Sequence, residues 1–326
     1  MMVRPLWQNW ALSLYNKVSQ MPVRRRAGSS ETAGKPWTEF FIESTIRVLG
    51  FSTIGFVLLI FFFLLKEGLP VLWEVSPGNL FGTRWYPTFD IFGTLPLILG
   101  SAYVTIAAIA IALPLGVTTA VFVRESAPDW AREILKPLIE VLAGIPSVVL
   151  GFFGMHAIAP MVRTTLNVPT GLTAFTGAVL LAYMSLPTII SVAEDALDSV
   201  PKSYRDAALA MGATNWQTIW RVVVPAARSG IAVAVMLGMG RAIGETMAVM
   251  MVTGNAARMP LSLGSIFMPV RTMTATVAAE MGEVANGSVH YHALFGIGII
   301  LFILTFIINI LAASAIFKKR RKGGLR

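Results

Sequence analysis

The stretch GTLPLILGSAYVTIAAIAIALPLGVTTAVFV, residues 93–123, runs for 31 residues without a charged side chain. A helix needs about 20 consecutive apolar residues to cross the hydrocarbon core of a bilayer. In lipid, backbone hydrogen bonds must be made within a helix or around a closed barrel, and the sequence lacks the short alternating segments of a barrel. The stretch therefore predicts a membrane-spanning helix with a tilt or an interfacial start, kinked at Pro96 and Pro114.

The whole chain has the composition of a membrane protein. Of its 326 residues, 55% are hydrophobic and 13% are charged, and the mean hydropathy is +0.70. Soluble domains carry about 25% charged residues. This composition excludes intrinsic disorder, a collagen-like fibre and a water-soluble enzyme. The absence of cysteine excludes disulfides, thiol catalysis and cysteine-ligated metals, and three histidines leave little for a metal site.

Further charge-poor runs bring the predicted membrane spans to six, which makes the fold class an all-α polytopic membrane protein. The other runs are residues 48–65, 141–162, 164–193, 229–252 and 293–317. The predicted organisation is a cytoplasmic tail (1–45), a first transmembrane helix (46–66), an extracytoplasmic loop (67–92), a five-helix transmembrane domain (93–317) and a basic cytoplasmic tail (318–326). The first tail is polar and is predicted to be partly disordered.

Lysine and arginine are unevenly divided between the two sides of the predicted membrane. The N-terminal stretch to Arg47, the last tail and segments 124–136 and 194–228 together contain 20 of them, and the other three loops contain five. Because cytoplasmic segments carry the excess of basic residues, both termini are predicted to lie in the cytoplasm, with the chain in the lipid of the cell (inner) membrane. The net charge of +9 follows from this topology and requires no nucleic acid.

Three features of the predicted outer loops have ordinary interpretations. Trp73, Trp85 and Tyr86 are predicted to anchor the loop at the membrane interface. The apolar residues 261–270 are too few to span and are predicted to lie on the interface or dip into it. His290 and His292 have no carboxylate at a useful sequence spacing and are predicted to be ordinary loop residues.

The cytoplasmic segment 194–229, the coupling segment, predicts two short helices. Ser203 can cap the first helix, and Gly212 suits the left-handed position that follows its end. Asn215 can cap a second helix that carries Trp216 on its apolar face, and Pro225 is predicted to end it. A helix pair with exposed tryptophans in a membrane loop is typical of a surface that docks into a partner's groove.

The motif in this segment resembles the EAA loop of bacterial ABC importer permeases. That pattern is Glu-Ala-Ala, three residues, Gly, nine residues, Ile, one residue, Leu-Pro. Here Asp206-Ala207-Ala208 precedes Gly212, and Val222, Val224 and Pro225 close the motif at the family's spacing. Aspartate replaces glutamate, and valines replace isoleucine and leucine. The resemblance, over about residues 94–317, implies a type I ABC importer permease in which this loop, including Trp216, contacts an ATP-hydrolysing subunit.

The sequence contains no Walker A pattern, Gly-x4-Gly-Lys-Ser/Thr. A docking loop on a chain without this pattern predicts a separate ATPase subunit. ATP and Mg are therefore expected on that partner, and this chain is predicted to have no cofactor, no metal and no catalytic residue.

The fifth predicted span contains two charges, Arg241 and Glu245. A charge at the middle of a bilayer costs about 2.5–3.5 kcal/mol on insertion scales, so both residues are functional candidates. At positions i and i+4 of a helix they can also pair, which is the structural interpretation. Gly238, Gly240 and Gly244 predict the close approach of a second helix to this face. The arginine guanidinium offers a planar fork of donors that suits a tetrahedral oxyanion.

The sequence from Arg241 to Val249, RAIGETMAV, with Thr253-Gly254-Asn255 resembles the PstC-type permeases of bacterial phosphate ABC importers. This resemblance, and not the arginine, selects inorganic phosphate as the substrate. It implies a substrate pathway through Arg241, Glu245 and Thr246 and transport by alternating access. It also implies three kinds of partner: a PstA-type second permease, two PstB-type ATPases and an extracytoplasmic phosphate-binding protein.

Other functions remain open from the residues alone. The chain could be a permease for another oxyanion, such as sulfate or molybdate. It could be an ion-driven secondary transporter in which Arg241 and Glu245 form a proton relay, although inverted repeats are not visible and the docking loop argues against it. A transmembrane enzyme is the weakest alternative, because no nucleophile–base set or ligand cluster appears.

Overall fold

The computed structural model describes residues 37–323. The predicted disorder of the first tail falls on residues that lie, up to residue 36, outside the described part. The chain divides into two compact units, Met1–Leu58 and Leu59–Arg326. The described part of the first unit, residues 37–58, is a stretch of one helix, and the second unit contains the other elements.

The secondary structure is almost entirely helical. In chain order the elements are α1 (Trp37–Gly68), α2 (Val71–Glu74), α3 (Pro77–Leu80), β1 (Trp85–Tyr86), β2 (Ile91–Phe92), α4 (Leu95–Val121), α5 (Asp129–Ala143), α6 (Ser147–Phe153), α7 (Ala159–Thr165), α8 (Ala174–Asp198), α9 (Lys202–Ala210), α10 (Asn215–Thr218), α11 (Val224–Gly244), α12 (Met247–Val252), α13 (Met273–Glu280) and α14 (Val289–Gly323). Short 3-10 turns cover Pro87–Phe89 and Leu263–Phe267, and π-helical turns cover Phe122–Ser126, Gly154–Ile158 and Ile219–Val223.

Within the described residues, six helical segments are long and apolar enough to cross a membrane, which confirms the predicted number. They are span one (Phe41–Glu74), span two (Leu95–Ser126), span three (Ser147–Thr165), span four (Ala174–Asp198), span five (Asn215–Gly244) and span six (Val289–Leu311).

Spans three and four begin later than the sequence predicted. Span three starts at Ser147 because Gly144 and Pro146 interrupt the chain after α5. Span four starts at Ala174, where the side chain of Thr173 accepts a hydrogen bond from the backbone N–H of Thr176 and so caps the helix. A charge-free run therefore locates a span but not its first residue.

Span four lies at the centre of the second unit. In its most apolar stretch, 61% of the residues are buried, whereas the buried share of the corresponding stretch is 39% in span two and 22% in span five. Ile189 of span four is fully buried and lies between Gly116 of span two and Gly238 of span five, where an added Cβ would come within 2.7 and 2.5 Å of its side chain. Spans two and five are therefore both held close against span four.

Each π-helical turn lies directly before a proline. The turns close with backbone N–H bonds from Ala127, Ala159 and Val224 to carbonyls five residues earlier, and Pro128, Pro160 and Pro225 follow. At Pro160 and Pro225 the helix continues, and the widened turn relieves the collision of a proline with the carbonyl four residues earlier. At Pro128 the helix has ended, because Ala127 is extended (φ −70°, ψ 134°).

The widened turn at Ile219–Val223 changes the interpretation of Pro225. The prediction that Pro225 ends the second coupling helix is wrong, because the helix continues through it from Asn215 to Gly244 over 30 residues. The coupling segment therefore leads directly into span five.

The outer loop after span one contains a small hairpin in which β1 pairs with β2 in antiparallel fashion. Trp85 on β1 is only 2% exposed, packs edge-on against Phe92 and donates its indole N–H to the Glu280 carboxylate at 3.2 Å. The prediction that Trp85 is an interfacial anchor is therefore wrong. Trp73 and Tyr86 are exposed, and for them interfacial anchoring stays a prediction.

His290 and His292 lie at the start of α14, so the prediction that they are loop residues is wrong, and both have carboxylate partners. His290 lies 2.8 Å from Glu280, and His292 lies 2.8 Å from Glu74. The prediction that they lack such partners is wrong because the carboxylate of Glu74 comes from a position 218 residues away. Sequence spacing does not reveal a neighbour that only the fold brings close.

The rest of the last outer loop folds back onto the ends of spans four and five. The Ala174 N–H donates to the Met268 carbonyl at 3.0 Å, and the Val270 N–H donates to the Thr253 carbonyl at 2.9 Å. Helix α13 follows, and its first turns are buried. The position of residues 261–270 relative to a membrane interface stays a prediction.

Candidate functional site

The predicted fifth span, residues 229–252, is broken where its two charged residues lie. Helix α11 ends at Gly244, Glu245 has an extended backbone (φ −71°, ψ 130°), and α12 begins at Met247. The side chain of Glu245 accepts a hydrogen bond from the Ala248 N–H at 3.2 Å, and its carbonyl accepts one from the Thr274 hydroxyl at 3.0 Å. The prediction of one continuous span over 229–252 is wrong because these bonds replace the helical ones.

Arg241 lies in the last turn of α11, just before this break, and it is exposed within the chain. Its Nη1 donates to the Thr188 hydroxyl of span four at 3.2 Å, and its Nη2 approaches the Ala143 carbonyl at the end of α5 at 3.4 Å. Both acceptors are neutral, and the second contact is long. The guanidinium is therefore held in place without being neutralised.

The predicted pair of Arg241 and Glu245 is not formed. Among the ion pairs of the described residues, none involves Arg241, and the Glu245 carboxylate accepts from the Ala248 N–H instead. The extended backbone at Glu245 separates the two side chains from the i, i+4 geometry of a helix. A proton relay between them has no support in this geometry.

The other predicted residues around Arg241 divide into two groups. Gly238 makes the close helix contact, since its added Cβ would meet Ile189, whereas Gly240 and Gly244 have no neighbour within 4 Å of that position. The prediction of close approach by a second helix is therefore confirmed for Gly238, and for Gly240 and Gly244 it stays a prediction about a helix of another subunit. Thr246 is half-buried and donates its hydroxyl to the Gly244 carbonyl at 3.3 Å.

Sequence reasoning missed both partners of Arg241. Thr188 follows Pro187 inside span four, and Ala143 opens the Ala-Gly-Ile-Pro stretch after α5. A proline within a span and a breaker beside one were visible in the sequence. They indicated irregular backbone at membrane depth, which is tolerated where it is buried in protein or lines a cavity, but they did not indicate which side chain faces it.

The described residues contain no group of three or more histidine, aspartate or glutamate side chains arranged to hold a metal ion. The candidate site consists of one guanidinium, two neutral acceptors and the backbone break between α11 and α12.

The coupling segment folds as two short helices, with different caps from those predicted. Helix α9 begins after Pro201 without a side-chain cap, so the capping role of Ser203 is wrong. Helix α10 is capped by Thr214, whose hydroxyl accepts from the Gln217 N–H, one residue before the predicted Asn215. Gly212 has φ +82° and confirms the predicted left-handed position.

The two short helices expose a large apolar surface. We define the coupling surface as the exposed side chains of Tyr204, Leu209, Met211, Trp216 and Trp220. Met211 is 88% exposed and Trp216 is 66% exposed, and the two tryptophan rings meet edge-on at 5.5 Å. Of the predicted motif residues, Asp206 and Ala207 are exposed beside this surface and Ala208 is half-buried.

Replacing Gly212 with valine is expected to misplace the coupling surface. An added Cβ meets nothing within 4 Å, so the effect comes from backbone strain at φ +82°, which costs about 1–2 kcal/mol for a residue with a side chain. We expect normal membrane insertion with reduced co-purification of the ATPase subunit. Asparagine at the same position tolerates this conformation and should behave like glycine. Full co-purification and full transport-linked ATP hydrolysis by the valine variant would contradict this role of Gly212.

Two solved structures share the fold of this protein. The structure resembles that of the inward-facing MetNI methionine ABC transporter with a TM-score of 0.55 and 17% identity, over 72% of this chain and 99% of that one. It resembles a bacterial ABC transporter involved in alginate import with a TM-score of 0.55 and 15% identity, over 87% and 98% of the two chains. The fold is that of an ABC importer permease.

Residues 112–322 match the family described as binding-protein-dependent transport system inner membrane component, and the chain belongs to this family. It is 42% identical over 240 residues to the protein named "Probable ABC transporter permease protein YqgH" of Bacillus subtilis, covering 73% of this chain and 77% of that one. It is 39% identical over 247 residues to the phosphate transport system permease protein PstC of Mesorhizobium japonicum, covering 70% and 74%. For PstC of Haemophilus influenzae the identity is 31% over 316 residues, covering 89% and 98%.

The family assignment confirms the all-α polytopic fold and the resemblance found in the sequence. The chain is a multi-pass inner-membrane protein and a transport component, not an enzyme. This assignment argues against the alternative of an ion-driven secondary transporter, because the family is one of binding-protein-dependent transport systems and a relative at 42% identity is named as an ABC transporter permease.

Proposed function

We propose that this chain is the permease subunit that carries inorganic phosphate into the cytoplasm by alternating access, with Arg241 on the substrate pathway. One observation carries the proposal: a guanidinium lies at the break of a membrane span with neutral acceptors only. The similarity to proteins named as phosphate transport permeases supports phosphate over other oxyanions.

The geometry around Arg241 suits a passing anion. A guanidinium presents parallel N–H donors that bind an oxyanion in bidentate fashion and strengthen with the anion's charge. A charged oxyanion is a stronger acceptor than the Thr188 hydroxyl or the Ala143 carbonyl, so phosphate can replace both contacts. Broken membrane helices with free polar groups occur at substrate sites of other transporters. Glu245 and Thr246, in the break itself, are proposed to shape the pathway next to Arg241.

The proposed assembly contains four further subunits. A PstA-type permease completes the pathway, two PstB-type ATPases bind ATP and Mg, and an extracytoplasmic phosphate-binding protein delivers the anion. Both termini of this chain lie in the cytoplasm in this arrangement, on the side of the coupling surface. The excess of basic residues in the tails and in the coupling segment supports that orientation.

The connection between ATP hydrolysis and the site runs through span five. Closure of the ATPase dimer moves the coupling surface, and the helix from Asn215 to Gly244 leads from that surface to Arg241 over 30 residues. A helix of that length spans about 45 Å, so movement at its cytoplasmic end reaches the break. The outer side then opens to receive phosphate.

Uptake by the whole complex in membrane vesicles tests the proposal. We expect phosphate uptake that requires ATP inside the vesicle and phosphate-loaded binding protein outside, and that excess sulfate leaves unchanged. Sulfate uptake without phosphate uptake would refute phosphate as the substrate. A complex without the binding protein is the matched control and should show background uptake.

A further inference from the structure

One arginine of the coupling segment faces away from the coupling surface and into the protein. Arg205 on α9 binds both oxygens of Glu125, with Nη2 at 2.6 Å from Oε1 and Nε at 3.3 Å from Oε2. Glu125 lies in the π-helical turn at the end of span two. The side chains are 18% and 9% exposed, so this is a largely buried bidentate ion pair.

The same guanidinium also donates hydrogen bonds to carbonyls at the end of span four. Its Nη1 donates to the Val200 carbonyl at 2.8 Å, and its Nη2 donates to the Leu197 carbonyl at 3.2 Å. Carbonyls in the last turn of a helix have no partner within that helix. Arg205 therefore joins three elements: helix α9, the end of span four and the end of span two.

We propose that Arg205 is a positioning residue that fixes the coupling surface to the end of span two, so that the movement of the ATPase reaches span two as well as span five. This inference rests on the proposed ATP-driven function but not on phosphate as the substrate. Span five receives the movement through the continuous helix. Span two is not continuous with the coupling segment, and the pair of Arg205 with Glu125 provides a noncovalent connection between α9 and the end of span two.

The neighbouring ion pairs support a role of Arg205 in transmitting movement rather than only in stabilising the end of span four. Arg124, next to Glu125, pairs with Asp198 at the end of span four. Lys136 on α5 pairs with the buried Glu194 of span four at 3.2 Å. These two pairs already join the end of span four to span two and α5. Among the ion pairs of the described residues, the pair of Arg205 with Glu125 is the one that extends to α9.

The test uses Arg205→Gln in the whole complex, with two measurements. The first is the ratio of substrate uptake to ATP hydrolysis in vesicles. Because the coupling surface stays exposed and intact, we expect the ATPase to bind and hydrolyse ATP, while uptake per ATP falls at least about fivefold, the lower end of coupling between distant sites. Lys202→Gln on the same helix is the matched control, since Lys202 is exposed and has no ion pair in the described structure, and it should keep the wild-type ratio.

The second measurement does not depend on the substrate. The chain has no cysteine, so Ser126→Cys at the end of span two and Ser203→Cys on α9, both exposed, give unique spin-label sites in a complex with cysteine-free partners. In the wild type we expect the same label distance without nucleotide and with ATP trapped, because the two elements move together. In Arg205→Gln we expect ATP to change or broaden the distance.

Glu125→Gln removes the ion pair but keeps the contacts of Arg205 with the two carbonyls, so it tests the ion pair alone. It also replaces Arg205→Gln as the test if that variant does not assemble. It leaves the donors to Leu197 and Val200 in place, and we expect the same loss of coupling as for Arg205→Gln. The proposal is overturned if Glu125→Gln keeps both the uptake ratio within twofold and the wild-type distances. A complex that fails to transport phosphate in the wild type refutes the proposed substrate, whereas the label distances still decide the role of Arg205.

Discussion

Replacing Arg241 with glutamine should lower phosphate uptake about 100-fold at unchanged abundance of the assembled complex. The variant loses two charge-assisted hydrogen bonds to the anion, each worth about 1.5–3 kcal/mol, and a loss of about 3 kcal/mol corresponds to about 100-fold. Assembly should be unaffected because Arg241 has neutral partners at 3.2 and 3.4 Å and no paired carboxylate to leave behind. Uptake of labelled phosphate into vesicles with matched amounts of the complex measures the effect.

Two related variants test whether the planar fork and Glu245 matter separately. Arg241→Lys keeps the charge but loses the bidentate geometry, so it should retain part of the uptake. Glu245→Gln keeps an amide oxygen for the Ala248 N–H and serves as the control for the break in span five. The double change to glutamine at both positions should transport as poorly as Arg241→Gln alone. Near-normal uptake by the double variant, at equal abundance, would remove Arg241 from the pathway.

Replacing Gly238 with valine should lower the stability of the assembled complex. The new Cβ would come within 2.5 Å of Ile189, which is fully buried in span four and cannot move into open space. Overpacking of this kind costs about 1–3 kcal/mol. We expect a lower thermal midpoint of the purified complex and less complex in the membrane.

Gly240→Val is the matched control for this experiment. It lies on the same helix and makes the same chemical change, but nothing lies within 4 Å of its added Cβ in this chain. The helix-propensity cost of valine is the same at both positions and cancels in the comparison. Equal thermal midpoints for the two variants would show that the close contact between spans four and five has been misidentified.

The motif of the coupling segment could be predicted because its chemistry is local. Gly212 has the predicted positive φ because the chain must leave α9 through a left-handed residue. The caps are not decided by residue type, since Ser203, Thr214 and Asn215 are all suitable, yet α9 has no side-chain cap and Thr214 caps α10 one residue before Asn215. The prediction that Pro225 ends the helix is wrong because a π-helical turn accommodates this proline. A proline in the sequence does not indicate by itself whether such a turn precedes it.

The sequence by itself determined the number of membrane spans, the helical fold and the coupling motif. The physical reason is that a span in lipid needs about 20 apolar residues whose backbone groups are hydrogen-bonded within the helix. A run of apolar residues of that length is visible in the sequence alone. Only the tertiary structure decided that span five breaks at Glu245, that Arg241 contacts Thr188 and Ala143, and that Arg205 binds Glu125. Each of these depends on a donor or acceptor from a distant part of the chain, such as the Thr274 hydroxyl that donates to the Glu245 carbonyl. A hydrogen bond acts over about 3 Å in space, irrespective of distance along the sequence.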